Sequence, residues 1–333
     1  MSKKNKFLVI IVLTMALFIL TFPGIVTAET LTLKFAHVCP GGDHPCNTSA
    51  MVFANLVEQK SGGTLKVNVY PDAVLGGERD ITENLQMGNI DLMWNSTGVS
   101  SNFVPSVDVF NLPFIFRDEE HFIKVAEGPI GKKLLKEFDK AGLVGLALTS
   151  PVFRVPMNNR GPINTPDDIK GLKIRLMEVP MHIATYKALG AFPVAIPFSE
   201  LYSSLQMGVV DTNENAIGTF STAKLYEVQK YLSLLPVFVN CEVLIMSKKT
   251  WDKLNPDQKK AILDSVPETV KTINRDYIKT GEDGLKVLKD YGVKINTPTN
   301  LEPFIEAVSG IYSDFIKEKP ELESVIDEIR NVE

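Results

Sequence analysis

The sequence predicts an α/β fold with two similar lobes and a cleft between them. From Thr30 onward, stretches with apolar residues at every second position alternate with stretches at helical spacing, an order typical of a mainly parallel sheet flanked by helices. The segment 85–91 also returns as 205–211, and an asparagine follows each copy at the same offset, Asn95 and Asn215. Such a repeat favours two halves of one ancestral unit. Chance similarity at a common helix-to-strand junction is the alternative.

In the first half of the chain, strands and helices alternate. The pattern predicts, in chain order, strand Leu31–Ala36, helix 49–59, strand Leu65–Tyr70, helix Glu78–Met87 and strand 90–94. The second half repeats this order with strand 172–177, helix 180–189, strand 192–196, helix 199–207 and a strand that begins at Val209. We therefore expect Asn95 and Asn215 at or just past the carboxyl ends of strands, where open α/β sheets bind ligands.

The remaining segments are expected to connect and complete the lobes. Residues 237–246 are strand-like and form a candidate crossover between lobes. Residues 256–291 predict one helix lying across both lobes and bent at Pro267, and residues 301–332 predict two short helices split at Pro320. We expect lobe I to comprise residues 29–151 and about 241–280, and lobe II to comprise residues 152–240 and about 281–333.

The first 28 residues have the pattern of a secretory signal peptide. Lys3, Lys4 and Lys6 precede the apolar run 7–22, and small residues follow up to Ala28. We expect cleavage after Ala28 and a periplasmic mature protein. The alternative is an uncleaved anchor, but the apolar run is shorter than the roughly 20 residues that cross a bilayer. No cysteine lies near the cleavage point, so a lipid anchor is not expected.

The composition excludes several classes of function. Removing the signal peptide takes away three lysines and no acidic residue, which changes the formal charge from −5 to −8. A mildly acidic chain without basic runs is a poor candidate for binding nucleic acid. No later segment is apolar for long enough to span a membrane, so we expect a soluble mature protein, and we expect a monomer.

The three cysteines, Cys39, Cys46 and Cys241, would lie in a compartment that permits disulfides. Glycines and prolines between Cys39 and Cys46 can bring their sulfurs together, and closing this loop would stabilise the protein by roughly 2.5 kcal/mol less any strain. The alternative is three separate buried thiols, with Cys241 free in either case. We expect no metal site, because the four histidines lack ligand spacing.

The sequence contains no signature of a catalytic site. A G-x-S-x-G nucleophile elbow, a phosphate-binding loop with a following Lys-Ser/Thr and an H-E-x-x-H zinc motif are all absent. We therefore expect a protein that is not an enzyme and uses no cofactor, and a secreted hydrolase or isomerase is kept as an alternative.

Arginine and amide side chains at strand ends are the candidates for ligand binding. Arg175 interrupts an apolar strand and precedes a helix opened by Pro180, so it is placed to hold a carboxylate through two parallel hydrogen bonds. The alternative is a structural arginine paired to a neighbouring glutamate. Arg154 also follows an apolar stretch, although such a residue is more often solvated or salt-bridged. Asn215 can donate to and accept from a ligand oxygen, although Asn-rich loops are often only turns.

Ordered motifs run along nearly the whole mature chain. They include residues 171–178, 187–191, 197–202, 205–211 and 214–215, and further 35–38, 43–45, 75–79, 112–114 and 224–231. Together they resemble the DctP family of solute-binding proteins of TRAP (tripartite ATP-independent periplasmic) transporters. The resemblance implies a two-lobed periplasmic-binding-protein fold, type II-like, that closes on an organic acid and delivers it to an ion-driven integral-membrane permease.

The resemblance also implies a set of ligand residues. Arg175 corresponds to the arginine that clamps the ligand carboxylate in this family, and the other implied cleft residues are Arg154, Asn215, Glu78, Phe198, Asn95 or its neighbour Ser96, and His37 or its neighbour Val38. The chain departs from the family where Ala216 replaces a usual proline after Asn215. It also departs between Val38 and Cys46, which carry two cysteines beside a segment that borders the ligand.

Charge counting suggests the class of ligand. Arg154 and Arg175 face Glu78, with Glu178 nearby, so one carboxylate nearly neutralises the set whereas two leave excess negative charge to be desolvated. We therefore expect a hydroxylated monoacid such as a uronate or other sugar acid. A C4-dicarboxylate is the alternative within the same transporter class. A ligand-sensing partner of a membrane receptor is another reading of the same fold.

Overall fold

The structure is a computed structural model that describes residues 30–333. The predicted signal peptide and its cleavage point after Ala28 lie outside these residues. In the described part of the chain, the strands form one sheet of five strands and a second sheet of seven. None of the helices in this part is both long and apolar enough to cross a membrane.

The first sheet forms the framework of lobe I. Its strands are β1 (Leu31–Ala36), β2 (Leu65–Tyr70), β3 (Leu92–Ser96), β4 (Leu143–Thr149) and β11 (Glu242–Ser247), in the spatial order β2-β1-β3-β11-β4. β1 pairs in parallel with β2 and β3, whereas β11 runs antiparallel to β3 and β4. Leu33 and Phe35 of β1 are buried while Thr32 and Lys34 are exposed, as its alternating sequence predicts.

The second sheet forms the framework of lobe II. Its strands are β5 (Phe153–Asn158), β6 (Lys173–Leu176), β7 (Phe192–Ala195), β8 (Thr212–Ala216), β9 (Tyr231–Ser233), β10 (Phe238–Val239) and β12 (Lys294–Asn296). The order is β12-β9-β5-β8-β6-β7, with β10 paired to β5. The segment β7-β6-β8-β5 has the same arrangement as β2-β1-β3-β11, three parallel strands and one antiparallel strand. The sequence repeat therefore marks equivalent positions in two lobes of similar topology.

The helices cover both sheets and link them. They are α1 (Pro45–Lys60), α2 (Glu78–Met87), α3 (Thr97–Ser100), α4 (Glu119–Glu127), α5 (Pro129–Glu137), α6 (Pro180–Ala188), α7 (Leu201–Gln206), α8 (Ile217–Thr222), α9 (Lys248–Lys253), α10 (Pro256–Asp290), α11 (Glu302–Ala307), α12 (Ser309–Glu318) and α13 (Glu323–Arg330). Short 3₁₀ turns lie at Pro105–Asn111, Phe138–Ala141, Pro166–Asp168, Phe198–Glu200, Leu225–Glu227 and Pro320–Leu322. Gly88 and Gly208 follow α2 and α7 at φ of 80° and 70°, which explains why each repeat copy carries glycine there.

The lobes are joined by crossing strands and by the long helix α10. The chain passes from β4 to β5 and returns from β10 to β11, so residues 237–246 form two short strands in different sheets rather than one. α10 has 35 residues, about 52 Å of helix, and packs against α1 of lobe I and α8 of lobe II. Pro267 lies inside this continuous helix. The prediction of one helix across both lobes is confirmed.

The C-terminal residues correct one part of the expected division into lobes. Phe304 of α11 packs in a lobe II core cluster with Ile163 and Leu172. α12 and α13 instead place Phe315 and Ile326 in the lobe I core cluster with Phe110 and others. The tail has three helices rather than two, and its last two bury Phe315, Ile326 and Ile329 in that core, while Ile311 of α12 contacts the core clusters of both lobes.

Candidate functional site

A cleft between the two lobes contains two adjoining cavities, of about 190 and 40 Å³. Both are lined by residues from each lobe, with Val38 and Glu78 on one wall and Arg175, Met177 and Phe198 on the other. The smaller cavity adds further polar residues, Ser96, His44, Arg154, Asn215, Thr219, Asn240, Glu242 and Tyr277. Their volumes are below the roughly 300 to 1,000 Å³ of drug-sized pockets, so the cleft suits a small polar molecule.

Arg175 is buried in β6 and is only partly hydrogen-bonded. Its Nε donates to the Ile196 carbonyl oxygen at 2.7 Å, and its guanidinium carbon lies 6.0 Å from the centre of the Phe198 ring. Nη1 is buried and has no hydrogen-bond partner within residues 30–333. Burial and, next, the charge of Arg154 lower the pKa of Arg175 to about 10, so the group stays charged at neutral pH. A buried, charged donor without a partner is costly, and an anion in the cleft would satisfy it.

Arg154 is occupied by a partner that the sequence interpretation missed. Its Nε donates to Oε2 of Glu214 at 2.6 Å, and its Nη2 donates to Oε1 at 3.0 Å and to the Glu214 carbonyl oxygen at 2.9 Å. Nη1 donates to Oδ1 of Asn240 at 2.7 Å. Four of its five N–H groups are therefore used inside the protein. Arg154 lines the cleft as part of an internal ion pair.

Glu214 is a buried carboxylate held in its charged form. Burial acts against its ionisation, but the charge of Arg154 outweighs burial and lowers the pKa of Glu214 to about 2. His182 lies with Nδ1 3.7 Å from Oε1, and burial lowers the pKa of this imidazole, so it remains neutral. The His182 ring stacks on Phe238, which fixes its orientation. Glu214 and Arg154 neutralise each other, and Arg175 is left as the guanidinium available to a ligand.

Asn215 lies in β8 rather than in a loop. The sequence Thr-Asn-Glu-Asn-Ala of β8 is buried at all five positions, and Asn213 donates to Gln229 in the interior. Asn215 lines the smaller cavity together with Thr219. Its Oδ1 accepts from the Ala216 N–H at 3.2 Å, which points to its amide nitrogen as the group left for the cleft. The expected loop is a strand because its backbone pairs with β5 on one side and β6 on the other.

Glu78 is the first residue of α2 and faces the cleft from lobe I. Its Oε1 accepts from the backbone N–H of Ser96 at 2.8 Å, which joins α2 to the end of β3. Burial raises the pKa of Glu78, although Ser96 and the two arginines act in the opposite direction. The helix amino terminus also favours a negative charge at this position.

Two expected cleft residues, Asn95 and His37, do not line the cavities. Asn95 points to the other face of its strand, where its Nδ2 donates to Thr82 at 3.0 Å, and its neighbour Ser96 faces the cleft. His37 is fully buried, and burial lowers its pKa to about 4, while its neighbour Val38 lines both cavities. Side chains alternate between the faces of a strand, so a shift of one residue exchanges cleft and core.

Glu242 and Asn240 are cleft residues that the sequence interpretation missed. Both lie at the crossing from β10 to β11, and Glu242 is opposite Ser96 and Thr149 in the sheet. Burial and, next, the charge of Glu78 raise the pKa of Glu242 to about 8. The signal that could have found them is the polar interruption of the apolar run 237–246, the same signal that selected Arg175.

Cys39 and Cys46 bring their sulfurs within 3.0 Å of each other, beyond the roughly 2.05 Å of a covalent bond. His44 is close enough to form a three-residue cluster with them. Their ligand atoms lie within 4.8 Å of one another, so the histidine and cysteines are brought together although the sequence spacing did not indicate it, and the absence of a metal stays a prediction. The His44 Nδ1 also accepts the Cys46 N–H at 3.3 Å. The disulfide remains a prediction.

Two α/β lobes, joined by crossing strands and enclosing a polar cleft with an incompletely paired arginine, define a solute-binding protein of the periplasmic type. The profile described as "Bacterial extracellular solute-binding protein, family 7", DctP, matches residues 35–319. The chain therefore belongs to the DctP family of TRAP solute-binding proteins, and the resemblance expected from its motifs is confirmed. Members of this family are periplasmic proteins that bind small organic acids and work with membrane permease subunits.

Relatives of known structure and name have different ligands. A TRAP periplasmic solute-binding protein from Polaromonas sp. JS666, bound to D-erythronate, is 36% identical with a TM-score of 0.88, covering 92% of this chain and 99% of that one. A protein from Sulfurospirillum deleyianum DSM 6946, bound to succinate, is 33% identical with a TM-score of 0.86, covering 92% and 100%. The 2,3-diketo-L-gulonate-binding periplasmic protein YiaO of Escherichia coli K12 is 30% identical over 95% of this chain and 98% of its own.

Proposed function

We propose that this protein captures a small hydroxylated monocarboxylate, such as a uronate or other sugar acid, and delivers it to an ion-driven TRAP permease after export and cleavage at Ala28. The single observation that carries the ligand class is the buried Nη1 of Arg175, a charged donor without a partner. A ligand carboxylate would accept the hydrogen bond that this nitrogen lacks and would balance the positive charge of the guanidinium.

The charges around the cleft support one carboxylate rather than two. Arg154 is neutralised by Glu214, so Arg175 is the cation left to balance a ligand. Glu78 and Glu242 lie on the opposite lobe, where their oxygens can accept from ligand hydroxyl groups. A second ligand carboxylate at that end would meet these two acids beside an Arg154 that Glu214 already neutralises, at a considerable cost in desolvation. Asn215 and Phe198 would complete the site.

A C4-dicarboxylate is the second candidate. It is favoured by the succinate-bound relative and by the one N–H of Arg154 that is not used within the protein.

A separate test distinguishes binding from catalysis. If the ligand is recovered chemically unchanged after prolonged incubation with the protein, binding is supported over catalysis.

The test is a thermal-shift screen of the mature protein against D-erythronate, D-galacturonate, succinate and malate, followed by calorimetric titration of each acid that stabilises it. We expect stabilisation by hydroxylated monoacids with dissociation constants in the micromolar range or below, which corresponds to about 8 kcal/mol or more. Stabilisation by the dicarboxylates alone would contradict the monoacid proposal and favour the second candidate.

A further inference from the structure

Glu242 is a buried carboxyl group on the lobe I wall of the cleft, across from Arg175. It begins β11, where the chain re-enters the first sheet, and its neighbours in the register are Ser96 and Thr149. It lines the smaller cavity together with Glu78, whose carboxylate accepts a hydrogen bond from the backbone N–H of the same Ser96. We call Glu78 and Glu242 the acidic wall.

The hydrogen bonds of Glu242 leave one of its oxygens for the cleft. Asn240 Nδ2 donates to Oε1 at 3.4 Å, and the Tyr277 hydroxyl donates to the same oxygen at 3.5 Å. Both hydrogen bonds are long and end on Oε1, and no hydrogen bond to Oε2 forms within residues 30–333. A ligand group opposite Arg175 would therefore meet an oxygen that the protein itself does not use.

On the basis of the proposed ligand class, we propose that Glu242 is a specificity-determining residue. Together with Glu78, it opposes a second carboxylate at the end of the ligand away from Arg175. Glu78 ionises before Glu242, because it accepts a backbone N–H and stands at a helix amino terminus, and its charge helps to raise the pKa of Glu242. Glu242 lacks such a donor and keeps its proton at neutral pH, where its hydroxyl can bind a ligand oxygen. As the pH rises, its ionisation adds a second negative charge.

The other titratable groups around Glu242 do not change their charge over the same pH range. Arg154 on β5 stays charged and paired to Glu214. The hydroxyl of Tyr277 on α10 and the thiols of Cys39 and Cys46 all have raised pKa values, so they are neutral over the same range. The lowered pKa of His44, about 3, keeps this imidazole neutral as well.

The experiment compares D-erythronate with succinate, acids of equal carbon number, by calorimetric titration between pH 6.5 and 9. For the unmodified protein we expect the ratio of dissociation constants, succinate to erythronate, to rise by about tenfold or more across this range, since one added charge opposes the second carboxylate. Glu242→Gln should keep the ratio constant with pH. Glu78→Gln should lower the ratio at pH 6.5, and Glu302→Gln, an exposed control on α11, should behave as the unmodified protein.

A pH-dependent ratio that persists in Glu242→Gln would overturn the assignment, as would a constant ratio in the unmodified protein. The failure of the proposed function has a different signature. The unmodified protein would then fail to bind erythronate and other hydroxylated monoacids at any pH, which would remove the basis of this assignment too. Melting temperatures of the empty variants report whether each one is folded.

Discussion

Arg154 and Glu214 form a buried two-point ion pair between neighbouring strands of the second sheet, with Nε–Oε2 at 2.6 Å and Nη2–Oε1 at 3.0 Å. Their side chains are 5% and 1% exposed, so neither charge is solvated. The pair changes the role of Arg154 from a second clamp to a fixed wall of the cleft. Arg175 is then the cleft guanidinium without an internal carboxylate partner, and we expect carboxylate binding to depend on it.

Replacing Arg175 should abolish binding without unfolding the protein. For Arg175→Ala we expect a loss of affinity of at least about 30-fold, since removing one partner of a buried charge pair costs about 2 to 5 kcal/mol. The melting temperature of the empty protein should change little, because the guanidinium is buried with an unpartnered nitrogen. Calorimetry and thermal unfolding measure the two effects. Unimpaired binding would place the carboxylate elsewhere, and Arg275→Ala, on the exposed face of α10, serves as control.

Breaking the Arg154–Glu214 pair should destabilise the fold itself. We expect Glu214→Gln to lower the free energy of unfolding by about 3 to 5 kcal/mol, because Arg154 is left buried and uncompensated. Urea unfolding of the empty protein measures this. The double variant Arg154→Met/Glu214→Leu should cost less than Glu214→Gln, and a larger loss in the double variant would contradict the argument. Glu137→Gln removes an exposed ion pair and should change stability by less than about 1 kcal/mol.

Glu242 should make stability fall as the pH rises. In the folded protein its pKa is raised to about 8, whereas the unfolded chain loses this proton near the ordinary value of 4.5. Between these values the folded state holds the extra proton, so the free energy of unfolding should decrease by up to about 1.4 kcal/mol per pH unit relative to Glu242→Gln. Urea unfolding of both proteins from pH 5 to 8 tests this. Parallel pH profiles would show that Glu242 is ionised throughout.

Cys39 and Cys46 should form a disulfide when the protein is exported through an oxidising compartment. Their sulfurs are already adjacent, and the closed loop should raise stability by roughly 2.5 kcal/mol. Thiol titration of the unfolded, unreduced protein should find one free thiol per chain, that of Cys241. A reductant, or Cys39→Ser/Cys46→Ser, should lower the melting temperature, while Cys241→Ser should not affect the thiol pair. Three free thiols would reject the bond.

Asn95 and Asn215 should respond differently to the same substitution despite their equivalent places in the repeat. Asn215→Ala should weaken ligand binding by about 0.5 to 1.5 kcal/mol or more, because its amide faces the cleft. Asn95→Ala should change affinity by less than about twofold and act on stability, since its amide bonds Thr82 in the core. Calorimetry on both variants compares them directly. A larger loss of affinity in Asn95→Ala would reverse this assignment.

Much of the framework could be predicted from local pattern. The strands Leu31–Ala36 and Leu65–Tyr70 and the helix Glu78–Met87 have the predicted bounds, because each has a strong periodicity, and Pro71 and Gly88 mark the ends of the last two. The predictions were less accurate for strands that are buried on both faces, because such strands lack the alternation of apolar and polar residues. Strand β8 consists largely of polar residues, and only its partners in the sheet make it a strand.

The sequence by itself determined the two similar lobes, the long connecting helix and the family, and it selected Arg175 as the expected ligand residue. These follow from periodicity, from the repeat and from motifs that are contiguous in the chain. Only the tertiary structure decided that Glu214 takes up Arg154, that Ser96 and Val38 replace Asn95 and His37 at the cleft, and that Glu242 joins Glu78. The physical reason is that a charge or a hydrogen bond depends on what lies within a few ångströms. Partners 60 or 164 residues apart in the chain, such as Arg154 with Glu214 or Glu78 with Glu242, carry no local signal of their proximity.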